Sequence, residues 1–159
     1  MADTQRINGF VPSWGDIYVK VDSERYYGIT EIAYGDTRVR SKLYGMARHH
    51  APRGRTSGKY EVDEATMKMD LLAAGALREA LASKAADGKS YGSVTFEVVV
   101  QYEDSQGNVR TDTLAECCIT KMAVSHSEGP DALMEDVSMD VMSIDRDGLT
   151  LYDKTEVAP

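Results

Sequence analysis

The chain contains 159 residues, a length that favours a single domain with a core of its own. Acidic residues outnumber basic residues by 26 to 18, and the net charge of −8 argues against a dedicated nucleic-acid binder, which needs clustered Lys and Arg to neutralise phosphates. The sequence has neither an apolar run of about 18 residues nor a basic segment followed by an apolar one at its start, so we expect no membrane span or anchor and no secretory signal.

One β-rich domain is predicted between two less regular ends. Residues 1–13 show little periodicity and predict an extended N-terminal arm, and residues 149–159 form a polar C-terminal tail. Between them, over residues 14–148, polar and apolar residues alternate as expected of half-buried strands. The predicted strands are 14–21, 26–34, 37–44, 58–70, 92–103, 109–124 and 132–145.

Alternation also predicts which side of each strand is buried. On the strand 37–44, Val39 and Leu43 share one side. A break in phase at Leu114 and another beyond Thr120 indicate an irregular strand with a bulge. The residues expected to share the inner side of their strands are Ile17, Val19 and Val21; Val94, Phe96, Val98, Val100 and Tyr102; Ala115, Cys117 and Ile119; and Val137, Met139 and Val141.

A single amphipathic helix is predicted over about residues 70–86, where good helix formers dominate the run LLAAGALREALASKA. Asp70 is suited to be its N-cap, and Asp87-Gly88 supplies the stop. The predicted apolar stripe, with a basic end, consists of Ala73, Leu77, Ala80, Leu81 and Lys84.

Residues 45–58 interrupt the alternation with three Gly, one Pro, three Arg and two His. A connection of this length in a compact domain is usually functional or mobile. Because the segment is basic and the whole chain is acidic, we expect it to contact an acidic surface such as a neighbouring copy, although a solvated loop has the same composition. The candidate contact residues are Arg48, His49, His50, Arg53, Arg55 and Lys59.

No catalytic, metal or cofactor site is predicted. His49 and His50 diverge on an extended segment, and His126 stands alone, whereas a metal needs three or four converging ligands. Cys117 and Cys118 are adjacent and point to opposite faces of a strand, so we expect free, unreactive thiols in a protein made in a reducing compartment. The sequence therefore favours a protein that is not an enzyme.

Strands joined by hairpin-length turns, together with one helix, predict a mainly β protein built as an antiparallel β-sandwich or split barrel. The order of its features resembles that of bacteriophage tail tube proteins, which are related to the tubes of contractile injection systems and type VI secretion. The resemblance extends over about residues 14–148 and includes the run SGKYEVDEATMKM before the helix and Asp145-Arg146-Asp147-Gly148 near the end.

This resemblance implies hexameric rings that stack into a hollow tube, with strands of all copies closing one inner β-barrel. It implies phage DNA passing through the lumen without specific binding, partners among sheath, tail and baseplate proteins, and a location in the virion after synthesis in the host cytoplasm. The loop 45–58 would then reach a neighbouring subunit or ring. The hypothetical lumen-lining residues are Thr95, Glu97, Gln101, Glu103, Asp136, Ser138 and Asp140; the alternative for these side chains is an ordinary solvated outer surface.

Two other functions remain open from the sequence. The first is a tube or baseplate component of an injection or secretion machine with protein cargo. The second is a monomeric β-barrel that binds a ligand or partner, which would need a closed barrel with an apolar interior.

Overall fold

The computed structural model of the protein describes residues 14–46, 50–103 and 109–152. The α-helix within these residues is α1 (Leu71–Lys84), and short 3-10 turns at Trp14–Asp16 and Tyr91–Ser93 come before β1 and β9. The strands are β1 (Ile17–Val21), β2 (Glu24–Tyr26), β3 (Ile29–Ala33), β4 (Asp36–Val39), β5 (Lys42–Leu43), β6 (Gly54–Arg55), β7 (Lys59–Val62), β8 (Ala65–Asp70), β9 (Phe96–Glu103), β10 (Val109–Val124), β11 (Met134–Asp140) and β12 (Ser143–Arg146).

Eight strands form one curved antiparallel sheet in the order β2-β1-β9-β10-β11-β8-β3, with β12 also paired to β10. Strand β10 belongs to both halves of this sheet, because its first part lies between β9 and β12 and its last part, residues 118–124, pairs with β11. Sheet 1 denotes the half that contains β2, β1, β9, β12 and the start of β10. Sheet 2 denotes the half that contains the end of β10, β11, β8 and β3. The two ends of the path, β2 and β3, are consecutive in the chain, so the sheet curls into the predicted split barrel.

Side chains from both sheets and from α1 fill the barrel. Alternation predicted the inward side correctly for β1, β9 and β11, whose inner residues are buried or packed against the buried cluster. The core includes Val19, Val21, Ile29, Met67, Met69, Leu77, Leu81, Phe96, Val98, Val100, Leu114, Cys117, Val137, Met139, Val141 and Ile144.

Helix α1 begins as predicted and ends two residues early. Asp70 caps it, with its Oδ1 accepting a hydrogen bond of 2.7 Å from the backbone N–H of Ala73. The residues that α1 buries are Ala74, Leu77 and Leu81, so the buried stripe is rotated slightly from the predicted one, and Ala73 is only partly buried.

Two bulges shape β10. The pairing with β9 shifts by one residue between Leu114 and Cys117, and Glu116 adopts a φ of +53° at this point. The inserted residue turns Leu114 into the core in place of Ala115, so the predicted inward position of Ala115 is wrong. A second shift, between Ile119 and Lys121, confirms the bulge predicted near Thr120.

Several predicted strands are interrupted. The strand 26–34 breaks at Tyr27 and Gly28, where the chain passes from sheet 1 to sheet 2. A Cβ atom on Gly28 would lie 2.3 Å from Asp70 Oδ2, so this crossing packs closely against the start of α1. The strand 132–145 is interrupted at Val141 and Met142, but β11 and β12 keep the same register on β10 and behave as one kinked strand.

Residues 36–46 and 50–62 form a two-stranded extension, which we call the hairpin arm. Strand β4 pairs with β7 and β5 pairs with β6, with one extra residue on the returning strand near Gly58, whose φ is +92°. The predicted loop 45–58 therefore contains a strand, β6, and the predicted strand 37–44 is two short strands. Because Val39 and Leu43 lie on this arm rather than in the barrel, they are 51% and 65% exposed.

Candidate functional site

The outer face of sheet 2 carries side chains of both charges. Glu31 on β3 lies opposite Lys68 on β8, and Lys68 lies opposite Asp136 on β11. Lys121 on β10 lies opposite Ser138 on β11. A depression of about 300 Å³ is lined by these residues, so this face is hydrophilic and suited to contact with water.

Sheet 2 is open at both edges. Within the described residues, β3 pairs only with β8, and residues 118–124 of β10 pair only with β11. An open edge presents backbone N–H and C=O groups that can continue a ladder with another chain. The short turn Tyr91–Ser93 lies beside β10 near Ile119, but it adds no strand to this edge in the described residues.

The predicted lumen-lining residues fall into two groups. Asp136 and Asp140 are exposed on the outer face of sheet 2, and Ser138 lies between them. Glu97, Gln101 and Glu103 lie on the outward side of β9 in sheet 1, and Thr95 comes just before that strand. Alternation therefore found water-facing side chains, but strand pairing distributes them over two sheets.

The two groups approach each other near the bulge in β10. Burial raises the pKa of the Cys117 thiol to about 12, with smaller contributions from Cys118, Asp140 and Glu97. Cys117 is buried and Cys118 half-buried, and both are free, as predicted. A thiol with a raised pKa is a poor nucleophile, and no group of three or more His, Cys, Asp or Glu in the described part of the chain is arranged to hold a metal ion.

The hairpin arm contains four of the predicted contact residues. His50, Arg53, Arg55 and Lys59 are all exposed on it, whereas Arg48 and His49 lie outside the described residues. Sequence reasoning did not identify the exposed apolar side chains on the same arm. Those with the largest exposure are Val39 at 51%, Leu43 at 65%, Tyr44 at 55% and Met46 at 91%, which makes the arm a mixed basic and apolar surface.

A hydrogen-bonded cluster attaches the base of the hairpin arm to the barrel. The Tyr60 hydroxyl donates to Asp36 Oδ2 at 2.9 Å and accepts from the backbone N–H of Ile144 at 3.1 Å. Arg146 donates from Nη1 to Asp36 Oδ1 at 2.8 Å, which raises the pKa of Arg146. Burial, the largest cause, and the Asp36 carboxylate raise the pKa of Tyr60 to about 12, although the Ile144 hydrogen bond opposes them.

A second cluster lies next to this base. Tyr34, which follows β3, donates to a carboxylate oxygen of Asp112 on β10, and its hydroxyl lies 2.6 Å from that of Tyr102 on β9. Burial and these hydrogen bonds raise the pKa of Tyr34 well above its usual value. The start of the arm is therefore bonded to β9 and β10, and no sequence motif indicated either cluster because their members are far apart in the chain.

A buried ion pair joins α1 to sheet 2. Arg78 Nη1 lies 2.6 Å from Glu135 Oε1, and the Glu135 side chain is only 5% exposed. Glu135 has the same inward phase on β11 as Val137 and Met139. The pair therefore fixes the helix against the barrel, and the hydrogen bond from Arg78 to Glu135 raises the pKa of Arg78.

Comparison with known proteins identifies the fold. The sequence matches no family model and no curated protein at a significant level. Two solved structures match over most of their length: a chain of the anti-feeding prophage cap, described as its tube-terminating cap, and a chain of the sheath–tube complex of an extracellular contractile injection system. The first has a TM-score of 0.64 and 9% identity over 93% of this chain and 96% of its own. The second has a TM-score of 0.63 and 8% identity over 87% and 93%. The chain has the tail tube fold.

A third solved structure gives the same result. Hcp1 from Flavobacterium johnsoniae matches with a TM-score of 0.56 and 11% identity, over 86% of this chain and 98% of its own. The predicted resemblance and the predicted fold class, a mainly β antiparallel barrel with one helix, are thus confirmed. No helix in the described residues is long and apolar enough to cross a membrane.

Proposed function

We propose that the protein is the structural subunit of a hollow tube, in which copies form hexameric rings that stack. The observation that carries this proposal is sheet 2, whose four antiparallel strands have two edges without a partner strand in the described residues. Placed around a ring, each copy can pair its β3 with the end of β10 in the next copy, which removes every open edge of sheet 2. A head-to-tail contact of this kind gives a ring when its rotation closes.

Strand direction supports this closure. Successive strands of sheet 2 run antiparallel, so β3 runs opposite to the end of β10. When copies are related by rotation about the tube axis, β3 of one copy therefore lies antiparallel to β10 of the next. Because each copy contributes four strands, an even number, the alternation continues around a ring with any number of copies.

The outer face of sheet 2 would then line the channel. In this proposal Asp136, Ser138 and Asp140 face the lumen. The other predicted lining residues, which are Thr95, Glu97, Gln101 and Glu103, belong to the outer surface around sheet 1.

The hairpin arm would provide contacts between copies. Its apolar side chains, such as Leu43 and Met46, are largely exposed to solvent. Exposed apolar surface often marks a protein–protein contact, and here a neighbouring copy can bury it. The exposed basic residues of the arm suit the acidic surface of the rest of the chain. We propose that the set Arg48, His49, His50, Arg53, Arg55 and Lys59 takes part in this contact.

For the cargo we propose phage DNA, with sheath, other tail and baseplate proteins as partners and the virion as the location. Acidic Glu31, Asp136 and Asp140 alternate with Lys68 and Lys121 on the proposed lumen face. Such a wall lacks the clustered positive charge that binds phosphates, so a polyanion can pass without being held. Protein cargo in an injection or secretion machine is the second candidate, and the fold shared with an extracellular contractile injection system and with Hcp1 favours it.

Assembly tests the structural role. Purified protein is examined over a wide range of concentration by light scattering and negative-stain electron microscopy. Rings or tubes are the expected products, and a species that stays monomeric at every concentration contradicts the proposal.

Cargo is tested separately in assembled particles. Asp136→Lys combined with Asp140→Lys should slow DNA passage while tubes still form, because the lumen becomes attractive to phosphate. Glu97→Lys combined with Glu103→Lys on sheet 1 is the control with the same change in net charge, and it should leave passage unchanged. Equal DNA passage in all three proteins would contradict the lining assignment, and no DNA passage through the unmodified tube would favour protein cargo.

A further inference from the structure

We propose that adjacent copies are aligned by an ion pair between Glu31 on β3 of one copy and Lys121 on β10 of the next. The inference rests on the proposed ring and specifies its seam, the contact between the two open edges of sheet 2. Glu31 and Lys121 are exposed, and they lie on opposite edge strands of the same sheet. The partner is therefore a second copy of this chain.

The strand register places both side chains on the same face. Glu31 is directly opposite Lys68, which is opposite Asp136 on the outer face of sheet 2. Lys121 is directly opposite Ser138, which lies two residues after Asp136 on β11 and therefore on the same face. A continuing sheet keeps this alternation, so both side chains remain on one side of the seam.

Within the described residues neither Glu31 nor Lys121 is within ion-pair distance of an opposite charge, although Lys68 lies across the strand from Glu31. Two strands, β8 and β11, separate Glu31 from Lys121 across the sheet. Edge strands of soluble proteins commonly carry charges that prevent uncontrolled pairing. An acidic residue on one edge and a basic residue on the other repel a wrong pairing, β3 with β3 or β10 with β10, and favour the head-to-tail pairing.

The proposal is tested by reversing each charge. Glu31→Lys and Lys121→Glu are made separately and together, and the concentration at half-assembly is measured by light scattering. Each single variant places like charges at every seam, so we expect this concentration to rise about tenfold or more. The double variant restores opposite charges and should assemble within about threefold of the unmodified protein.

Mixing the single variants gives a stricter test. In a ring where the two variants alternate, every β3–β10 seam joins opposite charges, and a hexamer can alternate completely. An equimolar mixture should therefore assemble at a concentration at which each variant alone stays unassembled. Rescue in the mixture identifies a head-to-tail seam only together with the loss in each single variant, because pairing of like edges would leave the single variants no weaker than the unmodified chain.

The controls separate this inference from the proposed function. Glu24→Lys, an exposed position on β2 in sheet 1, makes the same change in net charge as Glu31→Lys outside sheet 2 and should assemble normally. Thermal unfolding of each variant should match that of the unmodified chain, because the positions are exposed. If the unmodified chain forms rings but neither the double variant nor the mixture recovers assembly, the Glu31–Lys121 ion pair is wrong and the proposed tube role stands. If the unmodified chain never assembles, both proposals are wrong.

Discussion

The ion pair between Arg78 and Glu135 gives a quantitative prediction for the monomer. The Glu135 side chain is 5% exposed, and its Oε1 accepts from Arg78 at 2.6 Å. Its other oxygen, Oε2, has no hydrogen-bond partner in the described residues. Removing the guanidinium in Arg78→Ala would therefore leave a buried carboxylate without its counter-charge.

The expected cost follows from burial. Breaking a buried ion pair by removing one partner costs about 3–5 kcal/mol when both groups are fully enclosed. The Arg78 side chain is 35% exposed, so water can reach the space that it vacates. We therefore expect the free energy of unfolding to fall by about 2–3 kcal/mol. For a chain of this size the melting temperature should fall by about 4–12 °C.

The assay is thermal and urea unfolding of the monomer, with two matched variants. Glu79→Ala changes an exposed residue next along the same helix and should alter stability by less than about 0.5 kcal/mol. Arg78→Met combined with Glu135→Leu removes both charges and should recover most of the loss, since no buried charge remains. A loss in Arg78→Ala no larger than in Glu79→Ala would refute the reasoning.

Three further predictions concern the arm, the sheet crossing and pH. Asp36→Ala removes the hydrogen bonds from Tyr60 and Arg146 at the arm base. Hydrogen exchange of the backbone amides of β5 and β6 should therefore become about tenfold faster or more, while exchange in β9 is unchanged. Glu61→Ala, on the exposed side of the arm, is the control and should leave all exchange rates unchanged. Gly28→Ala forces a Cβ against the helix cap and should lower the free energy of unfolding by about 2 kcal/mol, whereas Gly129→Ala, with open space around it, should be neutral. The pKa of Tyr60 is about 12 in the folded state, above the value of about 10 of an unperturbed tyrosine, so the free energy of unfolding should fall as pH rises from about 10 to 12, and less steeply in Tyr60→Phe.

Alternation predicted local structure well because it depends on nearby residues. Val137, Met139 and Val141 are buried as expected, and Asp70 caps the helix. Ala115 was wrong because an inserted residue at the bulge changes the phase, and alternation assumes a constant phase. Bulges are set by the pairing of distant strands, which the local pattern does not specify.

The candidate site was less accessible to sequence reasoning for the same reason. Glu97 and Asp140 both have the outward phase of their strands, yet they belong to different sheets, because β10 exchanges its partners along its length. The apolar residues of the arm were also misjudged. Alternation grouped Val39 with Leu43 as it would on a core strand, and only the long-range pairing of β4 with β7 shows that they lie outside the barrel.

The exposed and the buried polar groups have different roles in the proposed tube. Within one copy, the Arg78–Glu135 pair and the Asp36 cluster connect α1 and the hairpin arm to the barrel, so the subunit can present its arm and edges in a defined orientation before assembly. Preorganisation of this kind reduces the entropy lost on association. The open edges of sheet 2 carry Glu31 and Lys121, which have no ionic partner in the described copy. We therefore expect Asp36→Ala to slow assembly without moving the seam, and reversal of the charge at Glu31 to weaken the seam without loosening the arm.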